Sequence, residues 1–150
     1  MDQTDRRILA ILQDNADQPV AEIASAVGLS PTPCWRRIQK LRAAGVIQRT
    51  VALVDPQAIG LDLNVFVGIE ARDHSPEWLG QFTATVAPMP EVMAIYRMAG
   101  DIDYLLRVAV HDMAHFDDFY RRLIAAVPLK NVTSHFAMER VKFTTAYPME

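Results

Sequence analysis

A basic segment from Ser30 to Arg42 carries the most specific chemistry in the sequence. It reads Ser-Pro-Thr-Pro-Cys-Trp-Arg-Arg-Ile-Gln-Lys-Leu-Arg. Between Ile23 and Val54 there are five basic residues and no acidic one, a local charge of +5 in a chain of net charge −3. A solvated surface helix usually mixes charges of both signs, so this excess favours contact with a polyanion, and with nucleic acid in particular. The five basic residues are Arg36, Arg37, Lys40, Arg42 and Arg49.

A second candidate site is the turn at Gly100, where Asp101 and Asp103 flank Ile102. Glycine lets the backbone approach a ligand closely, turn amides can hold a carboxylate, and an aspartate can accept an ammonium group. Those features suit a free amino acid, although an ordinary hairpin turn explains them equally well. A general acid and base pair would need a substrate-holding group. The sequence has no glycine-rich phosphate loop, Ser-His-Asp set or cofactor motif, so an enzyme is disfavoured.

The remaining reactive residues favour structural roles. Cys34 lies on the apolar stripe of the basic segment, far in sequence from any histidine, so we predict a buried thiol rather than a nucleophile. Trp35 flanks that stripe and is predicted to be a partly buried support for the helix rather than a DNA contact. His111 and His115 have a spacing that two metal ligands could use, but no further ligand completes a recognisable metal motif.

The basic segment is predicted to be the second helix of a helix-turn-helix. A short helix over Val20 to Val27 ends at Gly28, a residue suited to the left-handed position after a helix. Ser30 is a good N-cap, and proline is tolerated in the first helical turn. An earlier helix, from Asp2 to Asp14, completes a three-helix domain over residues 1–45. In a helix-turn-helix, the second helix enters the DNA major groove by its N-terminal residues.

A linker is predicted over residues 46–60. Ile47 to Val54 alternates as a strand does, and Asp55-Pro56-Gln57 followed by Gly60 interrupts the pattern.

The rest of the chain, residues 61–150, changes to a βαββαβ pattern, typical of a ferredoxin-like domain. Its helices begin at Ser75 and Asp112, and the final Tyr147 to Glu150 is expected to be a loose tail. In this arrangement both helices cover one face of the sheet, yet the third strand is apolar on both sides. Another copy of the chain is therefore the simplest cover for the second face. The strands are predicted at Leu63–Arg72, Glu91–Met98, Asp103–Val110 and Val132–Phe143.

Composition predicts a soluble globular protein, and the order of the predicted helices and strands makes its fold class α+β. Hydrophobic residues make up 51% of the 150 residues and charged residues 22%, enough apolar material for a core. There is no charged-then-apolar leader and no run near the ~18 apolar residues of a membrane span, so no membrane partner is expected. A single cysteine excludes an internal disulfide and indicates the cytoplasm. Residues 1–50 carry +2 (seven basic, five acidic) and residues 51–150 carry −5 (eight basic, thirteen acidic), so only the first part suits a polyanion.

In order and spacing, four motifs resemble the Lrp/AsnC (feast/famine) family of transcription regulators. The resemblance implies a helix-turn-helix domain, winged or plain, joined to an αβ sandwich that dimerises and often assembles into octamers. It also implies an amino-acid effector between dimers, near the loop from Gly100 to Tyr104 and the last strand. The motifs are Asp2-x-x-Asp5-x-x-Ile8-Leu9, Gly28-Leu29-Ser30-Pro31-Thr32-Pro33-Cys34, Gly45-Val46-Ile47 and Gly100-Asp101-Ile102-Asp103-Tyr104-Leu105-Leu106.

Further details resemble a branch of that family associated with cysteine sensing and detoxification. They are Thr-Pro-Cys-Trp, Arg97-Met98-Ala99-Gly100 and Phe136-Ala137-Met138-Glu139. Two departures from the family pattern are Trp35, where many members have an aliphatic residue, and His135, which lies beside the presumed pocket at a position where members vary. The family also often has threonine where this chain has Ser134.

The hypothesis is therefore a cytoplasmic homodimer or octamer that binds double-stranded DNA, responds to an amino acid such as L-cysteine, and uses no cofactor or metal. The alternatives are an amino-acid-sensing module that acts through a protein partner and, less favoured, a small enzyme. The expected DNA-binding residues are Ser30, Thr32, Pro33, Arg36, Arg37, Lys40 and Arg49. The expected effector-binding residues are Gly100, Asp101, Asp103, Tyr104, Thr133 and Ser134.

Overall fold

A computed structural model describes residues 1–150 and divides the chain into two compact units. The first unit comprises Met1–Leu53 together with Val141–Glu150, and the second comprises Val54–Arg140. The boundary at residue 53 lies inside the expected linker. The last ten residues, by contrast, belong to the first unit. No helix combines the length and apolar composition needed to cross a membrane.

Three helices form the first unit: α1 (Gln3–Asp14), α2 (Val20–Val27) and α3 (Pro31–Ala43). They match the three predicted helices. Each contributes an apolar stripe to one small core, because residues three and four apart lie on the same side of a helix. The fully or nearly fully buried residues of that core are Ile8, Leu9, Ile23, Ala24, Val27, Cys34, Ile38 and Leu41.

The turn between α2 and α3 follows from two local preferences. Gly28 has φ 74°, in the left-handed region where a side chain would be strained. Ser30 is the extended N-cap residue of α3, but its side chain makes no capping hydrogen bond. Pro31 begins the helix, where a missing N–H has no cost.

The C-terminal residues are not a loose tail, contrary to the expectation from sequence. Met149 packs against the core of the first unit. Gln13 and Tyr147 exchange two hydrogen bonds: the Gln13 amide nitrogen donates to the Tyr147 carbonyl at 3.1 Å, and the Tyr147 N–H donates to the Gln13 oxygen at 2.7 Å. The Arg6 guanidinium also donates to the Glu150 carbonyl. These contacts add surface to a three-helix core that is small for independent stability.

The strand expected over Ile47–Val54 is absent, so that prediction was wrong for the single chain. A strand needs a hydrogen-bonded neighbour, and the described chain offers none to this segment. Ile47 packs partly buried against the core of the first unit, but the later apolar side chains are exposed, with Val51 58% and Leu53 68% accessible to solvent. A short 3₁₀ turn, Gln57–Ile59, follows it.

The second unit is a four-stranded antiparallel sheet with two helices, and its element order confirms the predicted ferredoxin-like pattern. The strands lie in the order β2-β3-β1-β4. β4 begins and ends earlier than expected. The bounds are β1 (Leu63–Ala71), α4 (Pro76–Val86), β2 (Val92–Arg97), β3 (Tyr104–Val110), α5 (Met113–Ala126) and β4 (Leu129–Phe136).

Both helices pack on one face of this sheet. β3 alternates strictly, with Tyr104, Leu106, Val108 and Val110 buried and the intervening residues half-buried. Tyr104 stacks with Trp78 of α4, their ring centroids 5.7 Å apart. The second face carries Leu105, Arg107 and Ala109 of β3, which no helix covers because alternate strand residues point to opposite sides.

Candidate nucleic-acid interface and ligand site

The outer surface of α3 presents most of the expected DNA-binding residues. Thr32, Pro33, Arg36 and Lys40 are exposed, and neither Arg36 nor Lys40 forms an ion pair within the chain. Arg49 is also exposed, six residues after the end of α3. Ser30 is placed at the start of the helix, where its backbone conformation sets the direction of the first turn. Two unpaired cations on one helix surface are suited to phosphate oxygens.

Arg37 differs from the other cations of α3, because two carboxylates of α1 already hold it. Its Nη1 donates to Asp2 Oδ2 at 2.7 Å and to Asp5 Oδ1 at 2.8 Å. The two remaining carboxylate oxygens accept the backbone N–H groups of the same two aspartates, forming a capping box. All four oxygens are therefore used, and Arg37 joins the start of α1 to α3.

The hydrogen bonds among Asp2, Asp5 and Arg37 also shift the pKa values of Asp2 and Arg37. The Asp5 backbone N–H and then the Arg37 guanidinium lower the pKa of Asp2. Hydrogen bonds to Asp2 and then Asp5 raise the pKa of Arg37. Each shift favours the charged form of its group. From sequence alone, Asp2 and Asp5 were predicted only to begin and cap α1. Their contact with Arg37 could not be predicted, because it depends on how α1 packs on α3.

The two residues at the centre of the basic segment have opposite environments. Cys34 is completely buried, as expected, and burial raises the pKa of its thiol. Trp35 is 51% exposed, so it is partly buried as expected, and its role as a support for the helix rather than a DNA contact stays a prediction. At helical spacing, Trp35 lies about 100° from Cys34 around α3. That angle takes it past the edge of the apolar stripe and onto the solvent side.

The expected effector residues are only partly brought together. Gly100 and Asp101 lie in an exposed turn between β2 and β3, with Gly100 at φ 137°. Asp103 instead holds β1: its Oδ2 accepts the Ala71 N–H at 2.8 Å, and its own N–H donates to the Ile69 carbonyl at 2.8 Å. Of these three residues, only Gly100 and Asp101 are exposed.

The other three expected effector residues point to different sides of the sheet. Tyr104 is buried on the helix side among the aromatic rings of α4. Ser134 lies opposite Val67 and Thr133 opposite Gly68 in the pairing of β1 with β4. Since neighbouring strand residues face opposite ways, Ser134 shares the helix side and Thr133 faces the uncovered side. Within one chain, these residues do not line one pocket.

A groove between α4 and the edge strand β2 was missed at the sequence level. Its volume is ≈ 450 Å³, in the range of small-molecule sites. Arg97 is the only charged side chain of its lining, and it forms no ion pair. Only packing brings α4 and β2 together, so no local sequence signal pointed to it. The lining residues are Leu79, Thr83, Ala87, Val92, Met93, Ala94, Ile95, Arg97 and Tyr104.

His111 and His115 are close, with ring centroids 5.1 Å apart. His111 Nδ1 lies 2.7 Å from the Gly60 carbonyl, and His115 Nδ1 lies 2.7 Å from Asp112 Oδ1. Asp112 also caps α5 through the His115 N–H, and that hydrogen bond is the main reason that its pKa is lowered. No group of three or more potential ligands is placed to hold a metal ion.

Comparison with protein-family models identifies both parts of the chain. Residues 1–48 match a winged helix-turn-helix DNA-binding model. Residues 64–147 match the Lrp/AsnC ligand binding domain. Together the two matches cover most of the sequence, in the order that the structure shows.

Individual relatives share this arrangement along their full length. The DNA-binding transcriptional activator DecR of Escherichia coli K12 is 48% identical over 151 residues, which cover 100% of this chain and 99% of DecR. A crystal structure of an AsnC family transcriptional regulator from Agrobacterium tumefaciens is 53% identical, with TM-score 0.95, covering 99% of this chain and 97% of that one. A transcriptional regulator from Neisseria meningitidis in complex with L-Met is 32% identical, with TM-score 0.93 and coverage of 99% and 96%.

Proposed function

Because this chain belongs to the Lrp/AsnC family of DNA-binding transcriptional regulators, we propose that α3 binds operator DNA and that a small amino acid controls this binding. The relatives are regulators, so gene control in the cytoplasm rather than catalysis is the proposed activity. The observation that most directly supports DNA binding is the exposed surface of α3, where Arg36 and Lys40 form no ion pair within a stretch that contains no acidic residue.

A salt titration of DNA binding tests this docking. Each phosphate contact contributes about 0.9 to the slope of log affinity against log salt, so Arg36→Ala and Lys40→Ala should each lower that slope by about one. Arg121→Ala is the matched control, since Arg121 is an exposed arginine on α5 that pairs with Asp117. An unchanged slope in the Arg36→Ala, Lys40→Ala double variant would reject the docking.

Arg37 gives a different expectation in the same titration. Two aspartates hold its guanidinium, so we propose that it positions α3 against α1 rather than contacting phosphate. Arg37→Ala should weaken DNA binding and lower domain stability while leaving the salt slope unchanged. A slope reduced by one, with stability unchanged, would restore the role that the sequence suggested.

The proposed effector is a free amino acid, with L-cysteine first. Support comes from the match to a ligand-binding domain and from the L-Met complex of the Neisseria regulator. Two places in the chain suit an amino acid. The exposed turn at Gly100 and Asp101 offers backbone amides and a carboxylate, whereas the groove offers Arg97 for a carboxylate beside an apolar lining.

A thermal-shift screen of the twenty amino acids separates the two places. A ligand at 100 times its Kd should add about 2.7 kcal/mol to native stability. Asp101→Ala should abolish the shift if the turn binds the ligand, and Arg97→Ala should abolish it if the groove does. Arg121→Ala again serves as the control. A full shift in both Asp101→Ala and Arg97→Ala would reject both locations.

We further propose that the chain forms a homodimer through the uncovered face of its sheet and assembles into a tetramer of dimers. Half-buried Leu105 and Ala109 on that face would gain apolar contacts from a second copy. Leu105→Glu should convert the dimer to a monomer in size exclusion with light scattering. Ile124→Glu, on the exposed side of α5, should not. If both variants remain dimeric, the dimer interface is not the uncovered face of the sheet.

A further inference from the structure

Trp35 has an exposure that its size and position do not by themselves explain. It is 51% accessible to solvent, whereas Trp78, the other tryptophan, is 6% accessible and hydrogen-bonded through its ring nitrogen to the Pro128 carbonyl. Trp35 stacks on no other ring. A single exposed apolar residue is common on protein surfaces, so its surroundings decide whether it has a function.

Those surroundings form a small apolar concavity, which we call the seat. Trp35, Thr32 and Pro31 of α3, with Val20 at the start of α2, line a concavity of ≈ 270 Å³. Trp35 and Thr32 are three positions apart and lie side by side on the helix surface. The seat is open, mostly apolar, and located in the first turns of α3, the part of a recognition helix that approaches base edges.

The charge around the seat indicates which kind of macromolecule binds there. Arg36 follows Trp35 directly, Lys40 lies one turn further, and both are free of intramolecular ion pairs. An apolar protein surface would gain nothing from these cations, whereas DNA supplies phosphates on both sides of each groove. The apolar group that DNA exposes in its major groove is the C5 methyl of thymine.

We propose that Trp35, with Thr32 and Pro31, reads a thymine methyl group in each operator half-site. Trp35 is then a specificity-determining residue, while Arg36 and Lys40 provide affinity that does not depend on sequence. This inference rests on the proposed docking of α3 with DNA and adds the base chemistry that α3 selects.

The experiment uses the full-length protein and a duplex enriched from a random library by the wild-type chain. Each thymine of that duplex is replaced in turn by uracil, which removes only the C5 methyl. Burying one methyl group accounts for about fourfold in affinity. We expect one position per half-site to lose about fourfold with the wild-type protein and to lose nothing with Trp35→Ala.

Two further variants make the comparison specific. Trp35→Leu keeps an apolar side chain at the seat and should retain part of the uracil effect even if Trp35→Ala folds poorly. Val46→Ala, an exposed apolar residue just beyond α3, should retain all of it.

The outcomes separate this inference from the proposed function. Salt-dependent binding by the wild-type protein with no uracil-sensitive position would overturn the reading by Trp35 and leave the docking of α3 intact. A uracil effect that persists undiminished in Trp35→Ala would also overturn it. Absence of salt-dependent DNA binding by the wild-type protein would overturn both.

Discussion

Asp103→Ala should destabilise the second unit without any ligand present. The Asp103 Oδ2 accepts the N–H of Ala71 at 2.8 Å, and Ala71 is only 5% exposed. Alanine at position 103 leaves that N–H buried without its partner, which typically costs about 1–3 kcal/mol. In a domain of this size each 1 kcal/mol lowers Tm by roughly 4–8 °C. Loss of the Asp103 side chain should therefore lower the free energy of unfolding measurably, whether or not an amino acid binds.

Urea unfolding and amide hydrogen exchange measure this effect. We expect faster exchange at the Ala71 amide in Asp103→Ala and a reduced free energy of unfolding. Asp103→Asn keeps an oxygen acceptor and should recover most of the loss. Asp101→Ala is the matched control, because Asp101 is exposed and its side chain makes no hydrogen bond; its effect should stay within about 0.5 kcal/mol.

The same variants distinguish a structural aspartate from an effector ligand. Asp101→Ala with wild-type stability and no amino-acid response would support the turn as the effector site. Asp103→Ala with wild-type stability and unchanged exchange at Ala71 would refute the hydrogen-bond reasoning. In that case, any lost amino-acid response of Asp103→Ala would have to come from direct ligand contact.

Two further predictions concern the first unit. Gln13→Ala removes both hydrogen bonds to the Tyr147 backbone, so it should lower the free energy of unfolding by about 1–2 kcal/mol. It should also increase proteolysis of the C-terminal segment. Wild-type resistance to proteolysis would contradict the packing of that segment on the first unit. Asp2 has a lowered pKa through the Asp5 N–H and then Arg37, so its contribution to stability is complete above about pH 4 and is lost as the pH falls below that value. In urea unfolding between about pH 2 and pH 5, the stability advantage over Asp2→Asn should shrink as the pH falls, and a pH-independent difference would contradict this assignment.

The helices and the ferredoxin-like order could be predicted from sequence because their signals are local. Gly28 marks the end of α2, Pro31 the start of α3, and Asp2 with Asp5 the capping box of α1. The strand expected at Ile47–Val54 failed for a physical reason: alternation describes the two faces of a strand but not its hydrogen-bonding partner, which the single chain lacks.

By itself, the sequence determined the family, the two-part organisation and the basic surface of α3, since motifs, apolar periodicity and charge are written in consecutive residues. Only the tertiary structure decided which of those residues are available. It paired Arg37 with Asp2 and left Arg36 unpaired, used Asp103 to hold β1, and left half of the Trp35 surface accessible to solvent. Ion pairs, buried hydrogen bonds and exposure depend on distances between segments far apart in the chain, and these distances exist only after the helices and strands have packed.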